Sequence, residues 1–298
     1  MSVPTIISVN GRRTRVRVEG DPADTPMLLL HGIGRSLEDW APQYPRLARS
    51  HRVIAVDVPG FGFSARPPEP ITLKVLARSV IDILDTLGER RPLHVVGNSL
   101  GGAIAQQLLV LDPDRVASLV LVNSAGFNGD VALALRLLAL PVLGRLATRR
   151  TTRTSAWLTE RMLYADPKLA TKTRIDHALA IAGQPDAGPT MLETARELLT
   201  LRGIKPRWRS ELLAEVAKHP RPTLIIWGDR DRILPPHHLN SARRLIPHAQ
   251  THLFTGIGHA PQVECPDAFA ARVSAFVAET AGHGPRPTKS TRSVAAHT

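Results

Sequence analysis

Gly97-Asn98-Ser99-Leu100-Gly101 is the stretch of this sequence that decides the fold. It follows a short apolar run at residues 92–96, typical of a buried strand, and precedes a helix-like run at residues 102–110. A serine between glycines at a strand-to-helix turn has a strained backbone and an exposed hydroxyl. The helix N-terminus beside it favours negative charge. Although a five-residue match also arises by chance, this context predicts that Ser99 is a nucleophile.

The size and composition are those of a globular protein. The 298 residues can bury a sizeable core, and the hydrophobic fraction of 43% is ordinary. The net charge of +12 favours acidic partners. Aromatic residues make up only 4% of the chain, however, and no mixed basic and aromatic motif is present. We therefore expect a solvated basic surface and no nucleic-acid partner, and we leave peripheral membrane contact open.

The single cysteine, Cys265, cannot form an intramolecular disulfide, which fits a reducing compartment. The first ten residues lack the charged and apolar regions of a secretory signal. No stretch reaches the roughly 18 uncharged apolar residues that a membrane-spanning helix needs. We therefore expect a cytoplasmic protein without a transmembrane segment.

Strands and helices alternate along the first half of the chain. Asn10-Gly11 predicts a hairpin turn, and residues 72–87 have helical spacing with Thr72 as the N-cap and Gly88 after the end. Strands buried on both faces, as in a parallel sheet, are predicted by apolar runs at residues 27–30, 53–56, 93–96, 119–122 and 223–227. The alternation predicts an α/β fold with right-handed crossovers.

This alternation stops after residue 126 and resumes near residue 223. The residues between are helix-like, are punctuated by prolines and show no strand-period pattern, so we predict a helical cap insertion at 127–218 over the C-terminal edge of the sheet. Residues 1–126 and 219–280 then form the core. A last helix is predicted at 266–281, and the basic tail, 281–298, is predicted to be disordered because it has little to bury.

Two aspartates follow the strand at 223–227, in the loop Gly228-Asp229-Arg230-Asp231. A nucleophilic serine needs a base, and that base needs a carboxylate to hold its tautomer. In folds with this serine turn the three residues follow in the order Ser, Asp, His. We predict Asp231 as the acid and Asp229 as a turn residue bonded to backbone. The strand at 119–122 ends on Asn123 and Ser124, which removes another position for the acid.

His259 is the predicted base. It follows the last predicted strand in a glycine-rich loop, Phe254-Thr-Gly-Ile-Gly258-His259, and precedes the last helix. It also comes after Asp231, as the order of the three residues requires. The other histidines, out of twelve in all, do not combine these features.

Attack on a carbonyl creates an oxyanion, which needs donors already in place. One donor is predicted to be the backbone N–H of Leu100, directly after the nucleophile. The other comes from the loop His31-Gly32-Ile33-Gly34, where Ile33 is the first choice and Gly34 the alternative. We expect His31 to hold this loop by hydrogen bonds.

Five motifs in this order resemble the α/β-hydrolase superfamily, in its branch with a helical cap. The motifs are His31-Gly-Ile-Gly34, Asp57-Val-Pro-Gly-Phe-Gly-Phe-Ser64, Gly97-Asn-Ser-Leu-Gly-Gly102, Gly228-Asp-Arg-Asp-Arg-Ile-Leu-Pro235 and Gly258-His259. The resemblance implies an α/β-hydrolase fold, with a mostly parallel eight-stranded sheet flanked by helices. It also implies hydrolysis through an acyl-enzyme with neither metal nor cofactor.

The resemblance leaves the substrate open, because one fold serves many functions. Our first interpretation is a carboxylesterase or lipase-like enzyme acting on a small, partly apolar ester or related acyl compound. C–C bond hydrolysis is an alternative, because Asn98 before the serine resembles the C–C hydrolases of aromatic ring degradation. Acyl transfer, or ligand binding with a slow triad, would use the same residues. Ser99 argues against haloalkane dehalogenases and epoxide hydrolases, which resemble this chain but carry an aspartate at the elbow.

Overall fold

The computed structural model describes residues 2–281. The predicted disorder of the basic tail lies outside this range, except for Ala281, which ends the last helix. The strands are β1 (Thr5–Val9), β2 (Arg12–Glu19), β3 (Pro26–Leu30), β4 (Arg52–Val56), β5 (Leu93–Asn98), β6 (Val116–Val122), β7 (Leu199–Thr200), β8 (Gly203–Ile204), β9 (Thr223–Gly228) and β10 (Gln250–Phe254). The α-helices are α1 (Tyr44–Leu47), α2 (Leu73–Thr86), α3 (Leu100–Leu111), α4 (Leu133–Leu138), α5 (Pro141–Arg149), α6 (Arg153–Leu163), α7 (Lys172–Ala182), α8 (Ala187–Leu198), α9 (Pro206–Val216), α10 (His237–Leu245), α11 (Pro261–Glu264) and α12 (Pro266–Ala281).

Eight strands form one sheet in the order β1-β2-β4-β3-β5-β6-β9-β10. Strand β2 is antiparallel to β1 and to β4, and the other neighbouring pairs are parallel. This architecture confirms the predicted α/β class, the count of eight strands and their mostly parallel arrangement. Strands β5, β6 and β9 are neighbours, so the loops that follow them meet at one edge of the sheet.

The apolar runs form strands because both faces of the sheet are covered. Within β3, Leu28 and Leu30 pack in the core on one face, whereas Met27 and Leu29 pack on the other. All four side chains are fully buried. Burial of such a side chain stabilises the fold by about 1.5–3 kcal/mol. A run of consecutive apolar residues is therefore what this position in the sheet requires.

Two local predictions are confirmed. Asn10 and Gly11 both have positive φ, 50° and 76°, as a tight turn between antiparallel strands requires. Thr72 lies just before α2, and its hydroxyl accepts a hydrogen bond from the N–H of Val75 at 3.1 Å.

Six helices, α4 to α9, lie between β6 and β9. The apolar stretch at 131–146 is divided into α4 and α5 because Pro141 cannot continue a helix and begins the next one. The expectation of helices alone was wrong at β7 and β8, a two-stranded antiparallel ladder. Strands of two residues are too short to show an alternating pattern. Helix α9 contacts α3, and the division into core and cap stays a prediction.

Among the described helices, none combines the length and apolar character needed to cross a bilayer.

Candidate active site

Ser99 lies at the sharp turn between β5 and α3. Its backbone angles, φ 56° and ψ −116°, are unusual for a residue other than glycine and cost about 1–3 kcal/mol. A Cβ atom on Gly101 would collide with the carbonyl oxygens of Leu30 and His31, so only glycine fits there. The tight approach of β3 to this turn therefore holds Ser99 at the N-terminus of α3.

Asp231 and His259 form a buried hydrogen-bonded pair. Nδ1 of His259 lies 2.8 Å from Oδ2 of Asp231, whose side chain is fully buried. The other carboxylate oxygen, Oδ1, accepts hydrogen bonds from the N–H groups of Ile233 at 2.7 Å and Leu234 at 3.0 Å. These bonds fix the carboxylate, which in turn keeps a proton on Nδ1 and leaves Nε2 able to accept one.

The structure brings Ser99 and His259 into the wall of the same cavity. The hydrogen bonds of the described residues do not include one between the Ser99 hydroxyl and His259. In the absence of substrate, catalytic hydrogen bonds are often long or poorly aligned. The assignment of the three residues to a catalytic triad stays a prediction.

The side chain of Asp229 bonds to backbone and not to His259. Its Oδ1 accepts a hydrogen bond from the N–H of Gly256 at 2.7 Å, at the end of β10. This backbone contact matches the prediction that Asp229 stabilises a turn, and it leaves Asp231 as the aspartate that meets His259.

Asn123 was missed as a functional residue. It follows β6, has a positive φ of 43°, and donates from Nδ2 to Oδ2 of Asp231 at 2.6 Å. Its amide also contacts the carbonyl of Gly258 at 3.3 Å. The sequence showed only that no acid stands here. A polar residue at the end of a strand beside the acid's strand was the available signal, since parallel strands end at one edge of the sheet.

The loop that carries His259 is held by Glu264 and by the end of α6. Glu264 accepts hydrogen bonds from the N–H groups of Gly258 at 2.9 Å and Ala165 at 2.7 Å. Burial raises the pKa of Glu264, and these backbone donors oppose the rise. The N–H of His259 donates to the carbonyl of Leu163 at 2.7 Å. The segment after β6 is thus attached directly to the histidine loop.

The loop after β3 forms the other side of the site. Nδ1 of His31 hydrogen-bonds to the carbonyl of Gly32 at 2.8 Å, and its Nε2 accepts from the N–H of Val58 at 2.9 Å. Burial lowers the pKa of His31, which keeps the ring neutral. These bonds match the expectation that His31 holds the loop.

The predicted oxyanion donors lie beside Ser99. Leu100 is the first residue of α3, so its N–H has no partner within the helix. Ile33 and Gly34 line the cavity that Ser99 and His259 share. The choice of Ile33 over Gly34 as the second donor stays a prediction.

The cavity has a volume of about 430 Å³. Its lining is mostly apolar and includes Leu135, Leu138, Met162, Ile181 and Met191 from the helices after β6. A second cavity of about 40 Å³ also reaches Ser99 and is bordered by Leu100, Leu198 and Trp208. The site therefore offers one large and one small apolar space beside the serine.

Arg35 is the only Lys or Arg among the described residues that line the large cavity. Its guanidinium forms two hydrogen bonds with the carboxylate of Asp39, at 2.7 and 2.8 Å, and a further one with Glu160 of α6. Burial alone would raise the pKa of Asp39, but Arg35 holds it below the usual value. Two carboxylates thus neutralise the one cation of the cavity wall.

A family model of the alpha/beta hydrolase fold matches residues 25–266 of this sequence. The chain belongs to this family. The match includes Ser99, Asp231 and His259, and it agrees with the eight-stranded sheet.

Relatives within the alpha/beta hydrolase family differ in activity. A dihydrolipoyllysine-residue acetyltransferase component of an acetoin cleaving system from Pseudomonas putida is 30% identical over 92% of this chain and 69% of its own. A 2-hydroxymuconate semialdehyde hydrolase from Pseudomonas sp. strain CF600 is 31% identical, over 90% of this chain and 92% of its own. Lipase 1 of Psychrobacter immobilis is 26% identical, over 93% and 84%.

One solved structure is similar to this chain over most of its length. The meta-cleavage product hydrolase of Pseudomonas fluorescens IP01, an S103A mutant complexed with acetates, superposes with a TM-score of 0.77 and 28% identity, over 92% of this chain and 97% of its own. Hydrolases and an acyltransferase component thus share this family, and the family does not fix the substrate.

Proposed function

We propose that this protein is a serine hydrolase of the carboxylesterase or lipase-like kind, cleaving a neutral, partly apolar ester through an acyl-enzyme. The observation that carries the proposal is the buried Asp231–His259 hydrogen bond of 2.8 Å at the wall of the cavity that also holds Ser99. A positioned nucleophile, base and acid are what acyl transfer requires.

In the first half of the proposed reaction, Ser99 Oγ attacks the ester carbonyl carbon. Its proton passes to Nε2 of His259, and the carbonyl electron pair moves onto the oxygen. The N–H groups of Leu100 and Ile33 stabilise this oxyanion. The electron pair then returns, the ester C–O bond breaks, and the leaving alcohol takes the proton from His259.

In the second half, water attacks the acyl group carried on Ser99. His259 takes a proton from the water and returns it to Ser99 Oγ as the acyl–serine bond breaks. The products are a carboxylic acid and the regenerated enzyme. Asp231 stabilises the imidazolium that forms in both halves, and the proton stays on His259.

The charge of the cavity favours a neutral substrate. A carboxylate such as 2-hydroxymuconate semialdehyde, named for one relative, would need a free cation, but Arg35 is held by Asp39 and Glu160. A buried charge without a partner costs several kcal/mol. Ester hydrolysis is therefore favoured over C–C hydrolysis of an anionic dienoate.

The test is a set of p-nitrophenyl esters from acetate to palmitate, compared with 2-hydroxymuconate semialdehyde. We expect kcat/KM of at least about 10⁴ M⁻¹s⁻¹ for the best ester, and a value at least about 100-fold lower for the muconate substrate. The Ser99→Ala protein supplies the background rate for each substrate. The acyl chain length with the highest kcat/KM indicates how long an acyl group the large cavity holds.

The other outcomes select the alternatives. A higher kcat/KM for the muconate substrate would reject the ester proposal in favour of C–C hydrolysis. Product esters formed at the expense of acid when an alcohol is added would indicate acyl transfer. Tight ester binding without turnover above the Ser99→Ala background would indicate a ligand receptor.

We propose peripheral membrane contact as a second role, on the exposed face of α5. Val142, Leu143 and Leu146 are 68%, 48% and 61% exposed, and Arg145 and Arg149 are exposed on the same helix. Apolar and basic side chains together favour an anionic bilayer surface. We expect sedimentation with phosphatidylserine vesicles that weakens with salt and with the Leu146→Ser change. Equal sedimentation with phosphatidylcholine vesicles, or none with either, would reject this role.

A further inference from the structure

Three potential metal ligands meet on the side of the protein behind the acid loop. They are Asp130, after β6, and the neighbouring residues His237 and His238, which begin α10. One ligand atom from each lies within 4.8 Å of the other two. Nε2 of His237 is already 2.9 Å from Oδ2 of Asp130. None of these three residues lines either cavity beside Ser99.

His238 is the unusual member of this cluster. Its side chain is fully buried, yet neither ring nitrogen has a hydrogen bond of acceptable geometry to the described residues. Buried polar groups nearly always have a partner, because an unpaired one costs about 1–3 kcal/mol. A buried ring nitrogen without a hydrogen bond is available as a metal ligand.

The cluster is open to solvent on one side and closed by an aromatic ring on the other. Asp130 and His237 are about half exposed, at 52% and 49% of their side chains, so an ion can reach the cluster from solvent. An uncharged aromatic wall closes the inner side, since the rings of Trp227 and His238 are 5.7 Å apart.

We propose that Asp130, His237 and His238 bind a divalent transition-metal ion of the zinc class. Two imidazoles and a carboxylate suit Zn²⁺, Co²⁺ and Ni²⁺ better than Mg²⁺ or Ca²⁺, which prefer oxygen ligands. Ligands of a tetrahedral zinc ion lie about 3.3 Å apart. Binding in this geometry requires side-chain rotations at the two exposed residues, Asp130 and His237, with water as the fourth ligand.

The ion would connect two segments of the chain. One is the segment after β6, which carries Asp130, and the other is the start of α10, which follows the loop of Asp231. Hydrogen bonds already connect these two segments. The N–H of Ala132 donates to the carbonyl of Ile233 at 2.9 Å, and the side-chain amide of Asn128 donates to Oγ of Ser241 at 3.3 Å. A metal would add the buried His238 to the existing contact between Asp130 and His237. Its role is then to stabilise the structure, and the proposal departs from the expectation, drawn from the family resemblance, that the chain holds no metal.

The test uses the full chain with its purification tag removed, stripped with EDTA and titrated with Zn²⁺ by calorimetry. We expect one ion per chain and a Zn²⁺-dependent rise in the unfolding temperature. Asp130→Asn and His237→Ala should each weaken binding by about 100-fold or more, since loss of even an outer partner of a metal ligand costs about 10–100-fold. Co²⁺ should give visible absorption bands in the wild type that both variants lose.

His248→Ala is the matched control, because His248 is an exposed histidine outside the cluster, and its Zn²⁺ affinity should equal that of the wild type. His238→Phe keeps an aromatic ring in the buried space and should also lose the ion. The proposal fails if the wild type shows no stoichiometric binding, or if Asp130→Asn and His237→Ala bind Zn²⁺ as tightly as His248→Ala does.

Discussion

Replacing Ser99 with alanine is expected to lower kcat for the best ester by about 10⁵–10⁶. The change removes the hydroxyl that we propose as the nucleophile, while the proposed oxyanion donors and the cavity remain. The backbone strain at φ 56° is the same for alanine as for serine, so the fold should be kept. The rate is measured by single-turnover kinetics, and the fold by far-UV circular dichroism and the unfolding temperature.

Ser155→Ala is the control for this substitution. Ser155 also lines the large cavity, but it lies on α6 and its hydroxyl bonds to Thr152 at the start of that helix. We expect kcat to change by less than about threefold, which corresponds to a small change in the activation free energy. A fluorophosphonate should label the wild type and Ser155→Ala on Ser99 and leave Ser99→Ala unlabelled. Activity that survives in Ser99→Ala would end the acyl-enzyme proposal.

The features that could be predicted from the sequence are those encoded by residues that are close together in the chain. The apolar runs of β3, β4 and β9 are continuous because both faces of these strands are covered. The turn at Ser99 and the cap at Thr72 each depend on a few adjacent positions. Asp231 and His259 could be selected because the order of the triad members constrains which strand ends they follow.

Contacts between distant residues carry no such local signal. Asn123 meets Asp231 across 108 positions, and Arg35 meets Glu160 across 125. Either pair could be found only after the order of the strands was known. The position of Asn123 at a strand end does not indicate which side chain it contacts. Likewise, the residues next to Arg35 in sequence do not indicate that Glu160 pairs with its charge. The proposal of a neutral substrate depends on that second contact, which is why sequence left ester and C–C chemistry open.

Replacing Asp231 with asparagine is expected to lower kcat by about 10⁴. Oδ2 of Asp231 accepts from His259 at 2.8 Å and from Asn123 at 2.6 Å. An asparagine amide group at this position would face both donors with N–H groups of its own. His259 would then adopt the wrong tautomer, or the amide would turn and break the bonds to Ile233 and Leu234. In both cases the imidazolium loses its countercharge.

Asn123→Gly tests the same carboxylate from its other side. Glycine accepts the positive φ of 43° and removes only the side chain. A hydrogen bond to a charged group contributes about 1.5–3 kcal/mol, so we expect kcat to fall by about 10–100-fold. KM should change little, because Asn123 acts through Asp231 and is not among the residues that line either cavity described beside Ser99.

Asp229→Asn is the matched control for Asp231, two residues away in the same loop. Its Oδ1 accepts a hydrogen bond from Gly256 that an asparagine oxygen can also accept. We expect kcat within about threefold of the wild type. A loss near 10⁴ in Asp229→Asn with little change in Asp231→Asn would exchange the two assignments. A full loss in Asn123→Gly with an unchanged unfolding temperature would mean that the asparagine is as important as the acid that it positions.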